Sequence, residues 1–320
     1  MAKKGPMIVG GIEVEKKPLS YRIKTALIRD WHLWLLCIPA LVFIFIFNYG
    51  PMYGLQIAFK KYSAQKGIWG SPWVGFDNFM RFFRSPQFWV LLRNTLSISI
   101  YSLLASFPFP IFLALIMNQV RSAKFRKTVQ MVIYAPHFIS VVVLCGMLNV
   151  FLAPQTGIIN NMLDKLGMER IFFLGEPQYF SHLFVWSDVW QNTGWGMIIY
   201  LASLASVSPD LYEAAKIDGA NKLQTIWNVD IPSILPQIVI LFIMRTGQFM
   251  NVGFQKAYLL QNALNLDRSE IISTYVYKIG IQQAQFSYST AIDLFNALIN
   301  ILLIWMVNKI CQKINDTSLW

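Results

Sequence analysis

The sequence predicts an all-α integral membrane protein with six kinked transmembrane helices and both termini cytoplasmic. Three observations carry that class. Hydrophobic residues fill 55% of the 320 positions and charged residues only 13%, against roughly 45–50% and about 25% in soluble domains. The few charges are partitioned, which leaves six long stretches with one formal charge or none. Prolines fall inside several of those stretches, where a simple membrane anchor has no use for them.

The first stretch, 31–59, carries no formal charge, and neither do 94–120 and 128–163. Residues 177–209 hold only Asp188, 231–255 only Arg245, and 279–308 only Asp293. Each can cross about 30 Å of hydrocarbon at about 1.5 Å per residue. The helices expected within them run 31–52, 94–118, 128–152, 183–206, 233–255 and 289–311. Residues 1–30 read as a basic cytoplasmic arm, 31–311 as the six-helix transmembrane domain and 312–320 as a cytoplasmic tail. The arm is polar and lacks a short apolar stretch leading to a small-residue cleavage site, so no cleaved leader is expected.

Pro39, Pro108, Pro110 and Pro136 lie inside apolar runs. Each removes a backbone donor and clashes with the preceding turn. In lipid the freed carbonyls need partners, so such helices pack on others or line water. That requirement suits a channel or a transporter.

The net charge of +11 does not point to nucleic acid, because the bases sit between apolar blocks rather than on a polar face interleaved with aromatics. Disorder is excluded by the hydrophobicity. With both termini inside, fifteen basic residues lie inside and eleven outside, a modest positive-inside bias. Its sharpest part is Arg121, Lys124, Arg126 and Lys127 in one short loop. The competing segment 60–93 is rich in aromatics (Trp69, Trp73, Phe76, Phe79, Phe82, Phe83) and reads as an amphipathic interfacial element on the outer side. Cys37, Cys145 and Cys311 give no disulfide framework or metal-ligand spacing. His32, His137 and His182 form no paired motif, so neither a metal site nor a catalytic site is expected.

Residues 208–232 form the segment with the clearest local signals. Ser208 reads as a helix N-cap, Pro209 fits the first helical position and Asp210 suits the positive end of the helix dipole. Ala214 and Ala215 provide a face without bulk, and Gly219 permits a left-handed stop. A short, small-surfaced helix, a turn and a second short helix follow, a knob able to seat in a groove of another protein.

This stretch resembles the Glu-Ala-Ala (EAA) loop of permease subunits in binding-protein-dependent ABC importers. The signature stands here as Glu213-Ala214-Ala215, then Gly219, then Val229-Asp230-Ile231-Pro232, with Val and Ile replacing the more usual Ile and Leu. Asp218-Gly219-Ala220 matches the sugar-importer form. Further stretches, Asn48-Tyr-Gly-Pro51, Phe107-Pro-Phe-Pro110, Tyr134-Ala-Pro-His and Thr274-Tyr-Val-Tyr-Lys-Ile-Gly among them, are similar to the complex-oligosaccharide permeases of the LplB/YteP type. The resemblance spans nearly the whole chain. It implies a type I ABC importer permease fold in a bacterial cytoplasmic membrane, importing an oligosaccharide by alternating access. It further implies that 208–232 is a cytoplasmic coupling loop, with Glu213, Ala214, Ala215, Asp218 and Gly219 meeting an ATPase subunit. Glu213 then accepts hydrogen bonds or meets a cation in the ATPase groove, or is only a solvated helix charge. The partners implied are a second homologous permease subunit in a heterodimer, two ATPase subunits carrying ATP and Mg, and an extracytoplasmic solute-binding protein. No phosphate-binding loop occurs in the sequence, so the chain itself is expected to bind no cofactor and to be no enzyme.

Polar residues within the bilayer are costly and face the bundle interior or water. Arg245, Gln248 and Asn251 are spaced i, i+3, i+6 and share roughly one helix face. They either line the translocation path, binding sugar hydroxyls or carboxylates, or clamp helices together, with Asp188 or the second permease as partner. Gln191, Asn192 and Trp195 combine hydrogen-bonding groups with a stacking surface, as sugar sites do and as interfacial tryptophan belts also do. Arg245 tilts the expected substrate toward acidic oligosaccharides. An ion-coupled secondary transporter is the alternative. It would be expected to show an intramembrane ion site and internal repeats, and the sequence has neither a repeat nor a carboxylate cluster.

Overall fold

The computed structural model describes residues 28–315, together with Thr25 and a two-stranded antiparallel hairpin, β1 (Met7–Val9) and β2 (Ile12–Val14), with Met7 opposite Val14. Apart from this hairpin and an isolated bridge between Lys60 and Trp73, the described chain is helical. Most of the expected basic arm, and residues 316–320 of the tail, lie outside the described residues. The chain divides into units of residues 1–56 and 57–320.

In the first unit, helix α1 (Trp31–Ile44) contains Pro39. A π-helical turn, Phe45–Tyr49, and a short helical turn, Gly50–Met52, continue it. Every residue from 31 to 50 is exposed. A helix apolar on all sides is stable only where lipid or other protein covers it.

In the second unit, after a helical turn at Gly67–Gly70, come α2 (Asp77–Phe83) and α3 (Gln87–Ser106), which runs almost without a break into α4 (Pro108–Asn118). Pro108 opens the second segment, where its missing N–H has no helical partner to lose. The aromatic segment before α3 is amphipathic, as expected: Phe79 and Phe82 are buried while Trp69, Trp73 and Phe76 are exposed.

Run 128–163 does not form the single helix expected over 128–152. Helix α5 (Ala123–Tyr134) ends in a 3-10 turn around Pro136, α6 (Val141–Phe151) starts afresh, and the two meet at 94°. The cause is local. Pro136 removes a donor, and the Ser140 hydroxyl accepts the Val143 N–H at 3.3 Å, capping the new helix.

Helix α7 (Pro177–Ala205) is the organising element and packs on α3, α4 and α5. Met197, Tyr200 and Leu204 on α7 share a buried cluster with Ala114 and Met117 of α4 and Ile234 further along the chain. At Gly194 the backbones come so close that a Cβ there would land on the Ile133 carbonyl oxygen of α5.

The chain continues through α8 (Pro209–Ile217), α9 (Lys222–Thr225), a π-turn at Ile226–Asp230, α10 (Ile231–Thr246), α11 (Phe254–Leu260) and α12 (Phe286–Asn315). The helix expected over 233–255 therefore stops nine residues early. The amides and carbonyls released there find side-chain partners instead, as buried backbone groups must. Ser99 Oγ donates to the Phe249 carbonyl at 2.6 Å, and Asn300 Oδ1 accepts the Met250 N–H at 2.9 Å. Non-helical backbone at membrane depth is tolerated where it is packed in protein or lines a cavity.

Among the described residues four helical stretches are long and apolar enough to cross a membrane, Trp31–Phe59, Gln87–Asn118, Lys222–Thr246 and Phe286–Lys313, or five if the bent pair is one span. The 29 residues of α7 extend about 43 Å. Asp188, Gln191 and Asn192 dilute its apolar character and keep it out of that set.

Candidate functional site

Two regions gather the residues singled out in the sequence. The first is the loop between α7 and α10. The Ser208 hydroxyl accepts the Asp210 N–H at 3.3 Å, and Pro209 occupies the first turn of α8. The helix stops at Gly219, whose φ is +73°. The Ala220 N–H reaches the Ala215 carbonyl at 2.9 Å and the Gly219 N–H reaches Lys216 at 3.1 Å, the paired bonds of a Schellman stop. Asn221 and Gln224 then cap α9 reciprocally, through contacts of 2.8 and 3.0 Å.

Ala214, Ala215, Asp218 and Gly219 line one concave surface of about 470 Å³ beside Gln224 and Asn228. Glu213 is exposed and lies outside it. Around this concavity the loop presents apolar side chains to the exterior: Ile217 is 85% exposed, Leu223 77% and Trp227 73%. Exposed large apolar groups of this kind suit a surface that another protein or a membrane covers.

The second region is a cavity of about 590 Å³ among α3, α7, the α5–α6 bend and the unwound segment after α10. Arg245, Gln248, Asn251, Gln191 and Asn192 all line it. They do so from different elements: Arg245 is in the last turn of α10, whereas Gln248 and Asn251 lie beyond the helix end. The shared helix face expected from their spacing is replaced by an unwound strand that brings them to the same wall.

Their environments differ. The Arg245 guanidinium has a long contact to Ser106 Oγ at 3.4 Å and no ion pair among the described residues, so Asp188, one of the two clamp partners considered, does not pair with it here. Asn251 is a clamp: its Oδ1 accepts from Asn296 Nδ2 at 3.0 Å, with Asn300 Nδ2 at 3.4 Å. Gln191 is buried and donates to the Ile139 carbonyl at 2.7 Å, holding α7 against the bend.

Asn192 joins two ionisable groups. His137 Nδ1 lies 2.9 Å from Asn192 Oδ1, and Asn192 Nδ2 donates to Asp188 Oδ1 at 2.9 Å. An amide oxygen only accepts, so His137 Nδ1 carries the proton. Trp195 stacks on the His137 ring, with centroids 4.5 Å apart and planes 6° from parallel. It lines an adjoining cavity of about 310 Å³ that shares Asp188, Asn192 and Arg245 with the larger one.

Lys256, which no motif in the sequence marks, also lines the cavity. It is 5% exposed, donates to the Phe184 carbonyl at 2.8 Å and sits 4.9 Å from the centre of the Phe184 ring. Its signal was faint: a lone lysine just beyond an apolar run looks like a flanking charge until α11 turns it inward. His137 has no partner legible in the sequence, and the partner offered there to Asp188 is Arg245 rather than Asn192. No group of three or more His, Cys, Asp or Glu side chains suited to a metal occurs among the described residues.

Comparison with known proteins follows the same geometry. Residues 106–316 match the family described as binding-protein-dependent transport system inner membrane component. Protein LplB of Bacillus subtilis (strain 168) is 44% identical over 295 residues, 92% of this chain and 93% of that one. The polygalacturonan/rhamnogalacturonan transport system permease protein YteP of the same organism is 41% identical over 305 residues, 95% of each chain. A chain in the crystal structure of a bacterial alginate ABC transporter, in complex with an alginate pentasaccharide-bound periplasmic protein, superposes with a TM-score of 0.86. That chain is 39% identical, covering 93% of this chain and 100% of its own. The shared architecture is the type I permease fold of ABC importers. A family match over most of the described helices, full-length relatives and a superposable chain lead to one conclusion: the chain belongs to the binding-protein-dependent transport system inner membrane components.

Proposed function

We propose that this chain is one membrane-spanning subunit of an ATP-driven importer of acidic oligosaccharides in a bacterial cytoplasmic membrane. The single observation that carries the substrate class is the cavity of about 590 Å³ onto which Arg245 and Lys256 converge, with Asp188 as the one carboxylate in its wall. An unpaired guanidinium in a partly dry site recognises carboxylates through charged, bidentate hydrogen bonds. The names of the relatives support the same class, since polygalacturonan and alginate are acidic polysaccharides.

In this reading the chain spans the membrane six times, with α7 and the bent pair α5–α6 each counted once and both termini cytoplasmic. Residues 1–30 form a basic arm, 31–311 the transmembrane domain and 312–320 a tail. Glu213, Ala214, Ala215, Asp218 and Gly219 belong to a cytoplasmic loop that docks into an ATPase subunit. Two such ATPases bind ATP and Mg, a homologous permease completes the pore, and a solute-binding protein delivers the sugar. Arg245, Gln248 and Asn192 meet substrate as the path alternates between its two faces, Trp195 offers the ring face opposite His137, and Asn251 and Gln191 hold the wall in place. Family membership does not favour the ion-coupled alternative.

The test is uptake of a uronate oligosaccharide by proteoliposomes containing the complete complex, with an Arg245→Met variant alongside. Loss of a charged hydrogen bond is worth about 1.5–3 kcal/mol, so uptake falls by about tenfold or more at sub-saturating substrate. Wild-type uptake by an assembled Arg245→Met complex, or insensitivity of wild-type uptake to vanadate, defeats the reading.

A further inference from the structure

Asp230 is 0% exposed and sits at the end of the π-turn that leads into α10. Its carboxylate is the meeting point of three elements. Oδ1 accepts from the Tyr212 hydroxyl of α8 at 2.7 Å and from Asn118 Nδ2, at the end of α4, at 3.2 Å. Oδ2 accepts from Gln119 Nε2 at 2.9 Å. Asn118 Nδ2 also lies 3.3 Å from the Tyr212 oxygen, which closes the network into a ring.

All three donors are neutral, and no lysine or arginine pairs with Asp230 among the described residues. A buried carboxylate is expensive unless its lone pairs are filled, and here three donors fill them. Burial, and then the bond to Asp230, push the Tyr212 hydroxyl up to about 12, so it remains a donor throughout the physiological range. The network stands on solid packing: Ile226, Ile231 and Val120 lie against the cluster formed by Met117, Leu204 and Ile234. By contrast, the remainder of α8 has no buried residue of its own. Asp230 is thus the polar joint between a thinly packed helix and two helices of the bundle.

We infer that Asp230 is a positioning residue for coupling, holding α8 in fixed register with α4 and α10 so that a displacement of α8 is delivered to the transmembrane helices rather than absorbed by the loop. The inference rests on the reading of 208–232 as the ATPase-docking loop. The π-turn suits the role, because such turns interrupt a helix at functional positions without ending it. Tyr212 is the arm on the docking helix, and Asn118 and Gln119 are the arms on the bundle.

The test uses the full complex in proteoliposomes and reads three quantities: ATPase retained on the permease, ATP hydrolysed, and substrate imported per ATP. In Tyr212→Phe and Asp230→Asn the ATPase is retained and hydrolysis persists. Import per ATP falls, by about tenfold for Tyr212→Phe, the equivalent of one charged hydrogen bond. Asp230→Asn falls in the same direction but less steeply, since the Gln119 amide can turn to meet it. The double variant loses less than the two single losses combined, because the Tyr212–Asp230 bond is common to both variants while the Asn118 and Gln119 bonds belong to Asp230 alone.

Unchanged import per ATP in both single variants overturns the inference. So does a proportional fall of import and hydrolysis with reduced recovery of the complex, the signature of a merely structural residue. The docking reading is tested separately by Ile217→Cys in the otherwise wild-type chain: its side chain is exposed and should cross-link to the ATPase. Without that cross-link the docking reading falls, and the joint with it. With the cross-link and normal coupling in the Asp230 and Tyr212 variants, only the joint falls.

Discussion

Replacing Gly219 separates two reasons why a loop of this kind would need glycine. A Cβ built at Gly219 meets no atom within 4 Å, yet its φ of +73° is left-handed. Within the chain the cost of a side chain is therefore conformational and not steric. For Ala that cost is about 1–2 kcal/mol, which lowers the population of the stop roughly five- to thirtyfold. Asn tolerates the left-handed region better than Ala despite being larger, and β-branched Val is the worst fit. Import per ATP by the reconstituted complex is then expected to fall in the order Gly, Asn, Ala, Val. If Ala outperforms Asn, bulk against the partner governs the site and the backbone argument is refuted. If Val imports normally, the region does not dock at all.

Two further expectations concern the transmembrane packing. Gly194→Ala drives a methyl group into the Ile133 carbonyl of α5, costing about 1–3 kcal/mol. The detergent-solubilised complex should unfold at lower temperature, and an unchanged midpoint would show that α5 and α7 separate freely. Asn300→Leu strips the acceptor from the buried Met250 N–H, at a cost of about 1–3 kcal/mol. Amide exchange around 247–253 should quicken, and unaltered protection there would mean another group takes the bond.

The parts of this fold that were legible in the sequence are those with a local cause. Ser208, Pro209 and Gly219 act within one or two turns of themselves, so the short helix and its stop were readable from spacing alone. Charge-free runs likewise marked the long helices, because hydrocarbon excludes charge whatever the tertiary structure. The break at Pro136 was half visible. Pro136 marks a kink, but the capping role of Ser140 has no such signal, so the run reads as one kinked helix and not as two. The early end of α10 was hidden, because it depends on Ser99 and Asn300, which approach only once the bundle has formed. Spacing placed Arg245, Gln248 and Asn251 on one wall for the wrong reason. Lys256 escaped notice because its burial is wholly tertiary.

The unwound segment after α10 hangs between two supports. The Phe249 carbonyl is held by Ser99 of α3, and the very next amide, that of Met250, is held by Asn300 of α12. Such a strand cannot keep both attachments if α3 and α12 slide past one another, since a bond of 2.6 or 2.9 Å weakens steeply when stretched by even half an ångström or so. The contour of the cavity and the relative height of those two helices are therefore a single mechanical variable. Under the proposed function, a sugar that fits one contour would select one setting of the bundle, and the bundle, when moved, would reshape the grip on the sugar.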